Sequence, residues 1–176
     1  MIVITGASDG LGTAFALTFA QSGRTVKNFS RSENPDTTNV TKLTPIEAED
    51  GFRVNVSRPM IRASRLVQRI RQDNGGISSN AGTKAYQQQA ACGASRWAIR
   101  GFSQNVQIEC QGPSVRVICV YVSGFLSGLT AKIGKATMYP ENWMRPKDIT
   151  VCLRQLLEPP RKMDVNGTII NRKICL

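Results

Sequence analysis

The chain has 176 residues with a hydrophobic fraction of 41%, a size suited to one domain that buries roughly 70% of its unfolded surface. It contains no apolar run of about 18 residues and no basic leader with a cleavage site after Met1, so the expectation is a cytoplasmic protein with no membrane partner. Lys and Arg total 23 against 12 Asp and Glu, a net charge of +11 that favours polyanions of any kind, while the lack of histidine and five scattered cysteines exclude His-based triads, the commonest zinc sites and a disulfide framework.

The elements begin with Ile2 to Ile4, an apolar run of strand type. It breaks into Thr5-Gly6-Ala7-Ser8-Asp9-Gly10-Leu11-Gly12, and a helix follows from about Gly10 to Ser22, with Gly23 as its stop. Strand, glycine-rich turn and helix in that order bring backbone N–H groups and a helix dipole to a phosphate. Gly6 permits the sharp turn, Gly10 removes a Cβ where a pyrophosphate would approach, and Gly12 lets the helix close on the strand. A second strand, about 25–29, ends in Ser30-Arg31-Ser32. An acid at that place would bind a ribose 2′-hydroxyl, whereas a basic residue accepts a 2′-phosphate, so Arg31 leans towards NADP over NAD.

From Glu33 to Asp50 the chain is polar and broken by Pro35 and Pro45, with Asn39-Val40-Thr41 the only candidate strand. A loop of about eighteen residues is long for a compact domain, and an expected element is missing there. The spacing of Val56, Met60, Ala63, Val67 and Ile70 predicts a helix over about 52–72, bent or restarted at Pro59. Its other face carries Arg58, Arg62, Arg65 and Arg69; with no aromatic residue between them, a solvated face is favoured over a nucleic-acid surface. Gly75-Gly76 leaves only a very short strand at Ile77 before Ser78-Ser79-Asn80-Ala81-Gly82. A helix is predicted over about 90–110, a buried parallel strand over 115–122, a lid-like stretch over 123–144, a helix opened by Arg145-Pro146 through Leu157, and a last strand over 168–171.

Across almost the whole chain this order of motifs resembles the short-chain dehydrogenase/reductase family. The resemblance rests on Thr5 to Gly12, on Asn55-Val56, on Ser78-Ser79-Asn80-Ala81-Gly82, on Ala94-Ser95-Arg96-Trp97-Ala98, and on Arg145-Pro146-Lys147-Asp148-Ile149. It implies a single α/β domain over 1–176, a Rossmann-type doubly wound parallel sheet in three layers. It also implies hydride transfer between NADP and a small-molecule carbonyl or alcohol, and homodimers or homotetramers built on the long helices. The family's Asn-Ser-Tyr-Lys tetrad maps onto Asn55, Ser79, Cys92 and Arg96, and the cofactor would be held by Gly6, Ser8, Gly10, Leu11, Gly12 and Arg31. Ser127 takes the place of the family's nicotinamide-binding threonine. No metal is implied.

The departures fall on the chemistry. The family's tyrosine moves the proton at the substrate oxygen, and Cys92, with its sulfur one bond beyond Cβ, falls several ångströms short of a phenolic oxygen that must come within about 3 Å. Arg96 keeps the lysine's charge but not its point-like donor. Tyr86, in the intervening loop, has nothing in sequence to aim it at the site. The family's fourth strand, with its Asn-Asn-Ala-Gly segment, has no counterpart between Asn39 and Asn55, so the sheet is expected to lack one central strand beside the first. Activity is therefore expected to be weak or lost, and the alternative is a non-catalytic interaction or regulatory subunit associating through its long helices.

Overall fold

A short parallel strand followed by a helix is the repeated unit of this chain. The computed structural model describes residues 2–5, 10–23, 26–29, 42–67, 74–79, 82–110, 116–127, 140–160 and 162–173. They divide into two compact units, one of Met1–Pro35, Gly124–Glu158 and Asn171–Leu176, the other of Asp36–Ser123 and Pro159–Ile170.

In the first unit β1 (Ile2–Thr5) pairs parallel with β2 (Val26–Phe29), with Ile2 opposite Val26 and Thr5 opposite Phe29. A parallel pair needs a crossover, and α1 (Gly10–Gln21) supplies it. Leu11 and Phe19 on α1 are buried, and Phe15 meets Phe19 edge to face with centroids 4.5 Å apart. Gly23 ends the helix at φ +74°, a conformation that costs glycine nothing, as the sequence predicts. α1 packs on α5 (Pro146–Leu157), which starts with Arg145 extended at its N-cap and Pro146 in its first turn. Ile149, Thr150 and Leu153 form the buried face of α5, and the Thr150 hydroxyl is satisfied by donating to the Pro146 carbonyl at 2.8 Å. Ahead of it a parallel bridge joins Phe125 to Met144, and the Leu126 N–H donates to the Met144 carbonyl at 2.9 Å. Gly124 lets the Trp143 ring pack close, because a Cβ there would stand 2.8 Å from the ring and displace it.

The second unit begins with a helix where the sequence predicts a loop. Residues up to Asp50 read as loop, yet α2 runs over Pro45–Phe52. Thr44 accepts from the Glu47 N–H while the Glu47 carboxylate accepts from the Thr44 N–H at 2.9 Å, a complete capping box with Pro45 in the first turn. A widened turn, Arg53–Ser57, follows, in which the Arg58 N–H reaches back five residues to the Arg53 carbonyl, and α3 (Arg58–Val67) continues from it. Pro59 has no N–H to offer the carbonyl four residues back, that of Asn55, and a π-type turn at this point accommodates that loss. The bend expected at Pro59 therefore takes the form of a bulge, and residues 68–72 of the expected helix lie outside the described residues.

A parallel sheet follows in the order β3 (Asn74–Ser79), β4 (Val117–Val122), β5 (Thr168–Ile170). β3 is longer than its sequence suggests. Asn74, Gly75 and Gly76 pair with Val117, Ile118 and Cys119, since a backbone ladder does not need side chains. β4 is buried from Ile118 to Val122, as its apolar run predicts. The twenty residues of α4 (Ala90–Glu109) pack on β3 and β4 and link them.

All described strand pairs are parallel, and their connections carry helices, which is the Rossmann-type α/β arrangement. Among the described residues β1 has β2 as its single strand partner. The candidate strand at 39–41 lies outside the described residues. No described helix is long and apolar enough to cross a membrane.

Candidate active site

Asn55 sits in the widened turn and Cys92 in the first turn of α4, and one buried hydroxyl connects them. The Asn55 amide donates to Ser95 Oγ at 3.2 Å, and Ser95 Oγ donates to the Cys92 carbonyl at 2.8 Å. Ser95 is 1% exposed, so water cannot replace either bond. The bulge that Pro59 favours thus turns Asn55 to the helix that carries Cys92 and Arg96.

Arg96 lies one turn beyond Cys92 on α4, and both are half-buried. Its Nε is buried without an acceptor among the described residues. Its carbonyl lies against Gly82, where a Cβ would come within 2.9 Å of the oxygen. Arg100, one turn further, donates from Nη1 to the Gly82 carbonyl at 3.3 Å. Ser79 is the last residue of β3, opposite Val122, so it stands at the carboxyl edge of the sheet, and the chain three residues on is held to α4 at Gly82. Asn80 and Ala81 lie outside the described residues.

The remaining tyrosines that fall within the described residues make poor replacements for a catalytic phenol. Tyr86 is largely exposed in the loop before α4, with the Lys84 ammonium 5.3 Å from its ring centre. Tyr121, on β4, is 5% exposed. Burial, and then a hydrogen bond with the Cys119 thiol, push its hydroxyl well above the usual phenol range, and the Arg100 guanidinium opposes this only in part. A phenol held so firmly neutral is a weak source of catalytic protons.

Of the residues expected to bind the cofactor, Gly10, Leu11 and Gly12 form the first turn of α1, and Leu11 is buried. That turn holds no acidic residue, although Asp9 precedes it in sequence, and the partial positive charge of a helix end suits a phosphate. Ser127 is half-buried just beyond the Phe125–Met144 bridge. Gly6, Ser8 and Arg31 lie outside the described residues. Among the described residues no group of three or more acidic or thiol side chains could hold a metal. Sequence reading missed Ser95 and Arg100. Ser95 had a signal, since it lies three residues after Cys92 on a helix, but its partner is forty positions away.

A family model for short chain dehydrogenases matches residues 36–137. An uncharacterized oxidoreductase of Listeria monocytogenes is 28% identical over 116 residues, covering 59% of this chain and 47% of the relative, so the chain spans about half the length of the curated relative it matches. A solved 4-hydroxyisoleucine dehydrogenase complexed with NADH and succinate has a TM-score of 0.81 at 20% identity, covering 98% of each chain. A short-chain dehydrogenase/reductase from Vibrio parahaemolyticus has a TM-score of 0.77 at 21% identity, covering 98% of this chain and 100% of that one. A short chain dehydrogenase from Shigella flexneri complexed with NADP has a TM-score of 0.76 at 18% identity, covering 96% and 95%.

Proposed function

The chain belongs to the short-chain dehydrogenase family, and from that premise we propose that it binds NADP(H) but transfers hydride to a small carbonyl or from an alcohol weakly or not at all. When bound, the nicotinamide would supply the hydride; the chain's own groups must supply the proton. The observation that carries this reading is the thiol at position 92, where the family has a phenol. Its helix turn is locked through Ser95 to Asn55, so the short side chain cannot be advanced by moving the backbone. Arg96 presents only N–H donors and no acceptor, so it cannot take a proton from the substrate oxygen, although its unpartnered Nε suits a ribose hydroxyl. Loss of the proton-transfer group alone lowers a rate by about 10²–10⁴-fold.

A nicotinamide cofactor is supported by the first turn of α1 and by the solved relatives, one of which carries NADH and another NADP. Arg31 and the net charge of +11 favour the phosphorylated form. Gly6, Ser8, Gly10, Leu11 and Gly12 would cradle the pyrophosphate, and Ser127 would meet the nicotinamide end. Thermal unfolding with NADPH and with NADH tests the binding, since a ligand of the native state alone raises its stability. Protection by NADPH greater than by NADH, with no turnover on a ketone panel, is expected. No protection by either cofactor, or rapid turnover, would refute the reading.

A second reading, a non-catalytic subunit that associates through its long helices, is favoured by Ile61 on α3 and Trp97 on α4, which are 52% and 49% exposed. Sedimentation of the cofactor-free protein separates the two: a dimer or tetramer without cofactor binding favours this reading.

A further inference from the structure

The second unit carries an open groove of about 540 Å³ on its surface, lined by the later turns of α4, by Tyr121 on β4 and by the exposed segment leading into β5. None of Asn55, Ser79, Cys92 and Arg96 lines it. Its volume falls in the range of roughly 300–1,000 Å³ found for small-molecule sites.

Arg100 is the positive group of this groove. Its guanidinium lies 5.1 Å from the Trp97 ring centre and 5.9 Å from that of Tyr121, and one donor is engaged by the Gly82 carbonyl. Ring contacts and the Gly82 bond restrain the group in one orientation. Among the described residues no carboxylate comes within salt-bridge distance of it. A guanidinium has five N–H donors in one plane, so a restrained one with donors to spare is prepared for a planar carboxylate.

Asp164 is the negative group. With the Asn166 amide turned so that its nitrogen faces the acid, that nitrogen donates to both Asp164 oxygens at 2.7 and 3.1 Å. Gln107 on α4 donates to the carbonyls of Asn166 and Val117 at 2.6 and 2.8 Å, which ties the Asp164 loop to the helix. Asp164 also lacks a cationic partner among the described residues. Gln104, four residues after Arg100, adds an uncharged amide to the wall.

A simple anion would be drawn to Arg100 and opposed by Asp164, and a simple cation the reverse. A molecule carrying both charges, at a separation that matches the two groups, would satisfy both. We propose that this groove binds a small zwitterion of the free α-amino acid type, with its carboxylate on Arg100 and its ammonium on Asp164. The site is independent of the nicotinamide cofactor and of any turnover.

Titration of the full chain, followed by NMR chemical shifts, against L-norvaline, pentanoate and pentylamine tests this assignment. These probes share one carbon chain and differ only in their charges. L-norvaline is expected to bind at least about tenfold more tightly than either other probe, since each charge-assisted contact contributes about that factor. D164N is expected to abolish the preference for L-norvaline over pentanoate, and R100Q to abolish binding of both. Arg100 also braces Gly82 and two rings, so D164N, on an exposed loop, is the deciding variant if R100Q fails to fold. Equal binding of the three probes, no binding of L-norvaline at tens of millimolar, or shifts that follow protein concentration and not probe would each overturn the proposal, the last in favour of self-association at this face.

Discussion

Replacing Ser95 with alanine deletes one oxygen and two hydrogen bonds from the junction between the widened turn and α4. The two losses are unequal. The Cys92 carbonyl lies inside α4 and keeps access to a backbone donor one turn on, so it loses a second bond only. The Asn55 amide loses its acceptor on the partner helix in a half-buried place that water reaches poorly. A net bond is worth about 0.5–1.5 kcal/mol and an unsatisfied polar group costs about 1–3 kcal/mol. The sum for S95A is about 2 kcal/mol, or a fall in melting temperature of roughly 4–8 °C for a chain of this size. Urea unfolding of wild type, S95A, N55A and the double variant measures it, and the cycle should show a coupling of about 1 kcal/mol between the two side chains. If S95A is within about 0.5 kcal/mol of wild type, or if the two effects simply add, the Asn55–Ser95 bond does not hold the helices together and the argument fails.

Restoring the family's pair with C92Y/R96K should raise ketone reduction with NADPH by about 10²-fold or more, measured by loss of cofactor absorbance; no gain would mean that the defect lies in the shortened sheet. G82A places a methyl 2.9 Å from the Arg96 carbonyl, so it should cost about 1–3 kcal/mol in urea unfolding, whereas G93A, at a glycine with open space around it, should cost nothing or stabilise. The Thr44 backbone N–H, followed by its hydroxyl, holds the Glu47 carboxyl below its ordinary range. Its contribution is therefore present above the unfolded-state pKa and lost as pH falls through the lower folded value, and E47Q should flatten the acid limb of stability against pH. Tyr121 is shifted the other way. Its raised value gives stability that is complete below the ordinary phenol pKa of about 10 and declines as pH rises beyond it, so Y121F should remove that alkaline decline.

Local chemistry alone determined much of this molecule. The apolar run at Ile2 to Ile4, the glycine-rich turn and the stop at Gly23 specify a strand, a crossover and a helix without reference to the rest of the chain. The unbroken apolar residues from Val117 to Val122 specify a strand buried on both faces, and the motif order identified the family. Where two local rules competed, the sequence was misread. Pro45 can break a helix or begin one, and only Thr44 and Glu47, closing the capping box around it, decide for a start. Gly75 and Gly76 carry no strand propensity, yet the exposed ladder of β4 recruits them. Tertiary structure alone decided the junction at Asn55. A helix pattern records which face is apolar, not which polar group forty residues away will meet an amide displaced by a bulge. The pairing of Arg100 with Gly82, Trp97 and Tyr121 was equally hidden, because it depends on three elements meeting, and contact across elements is a property of the packed chain.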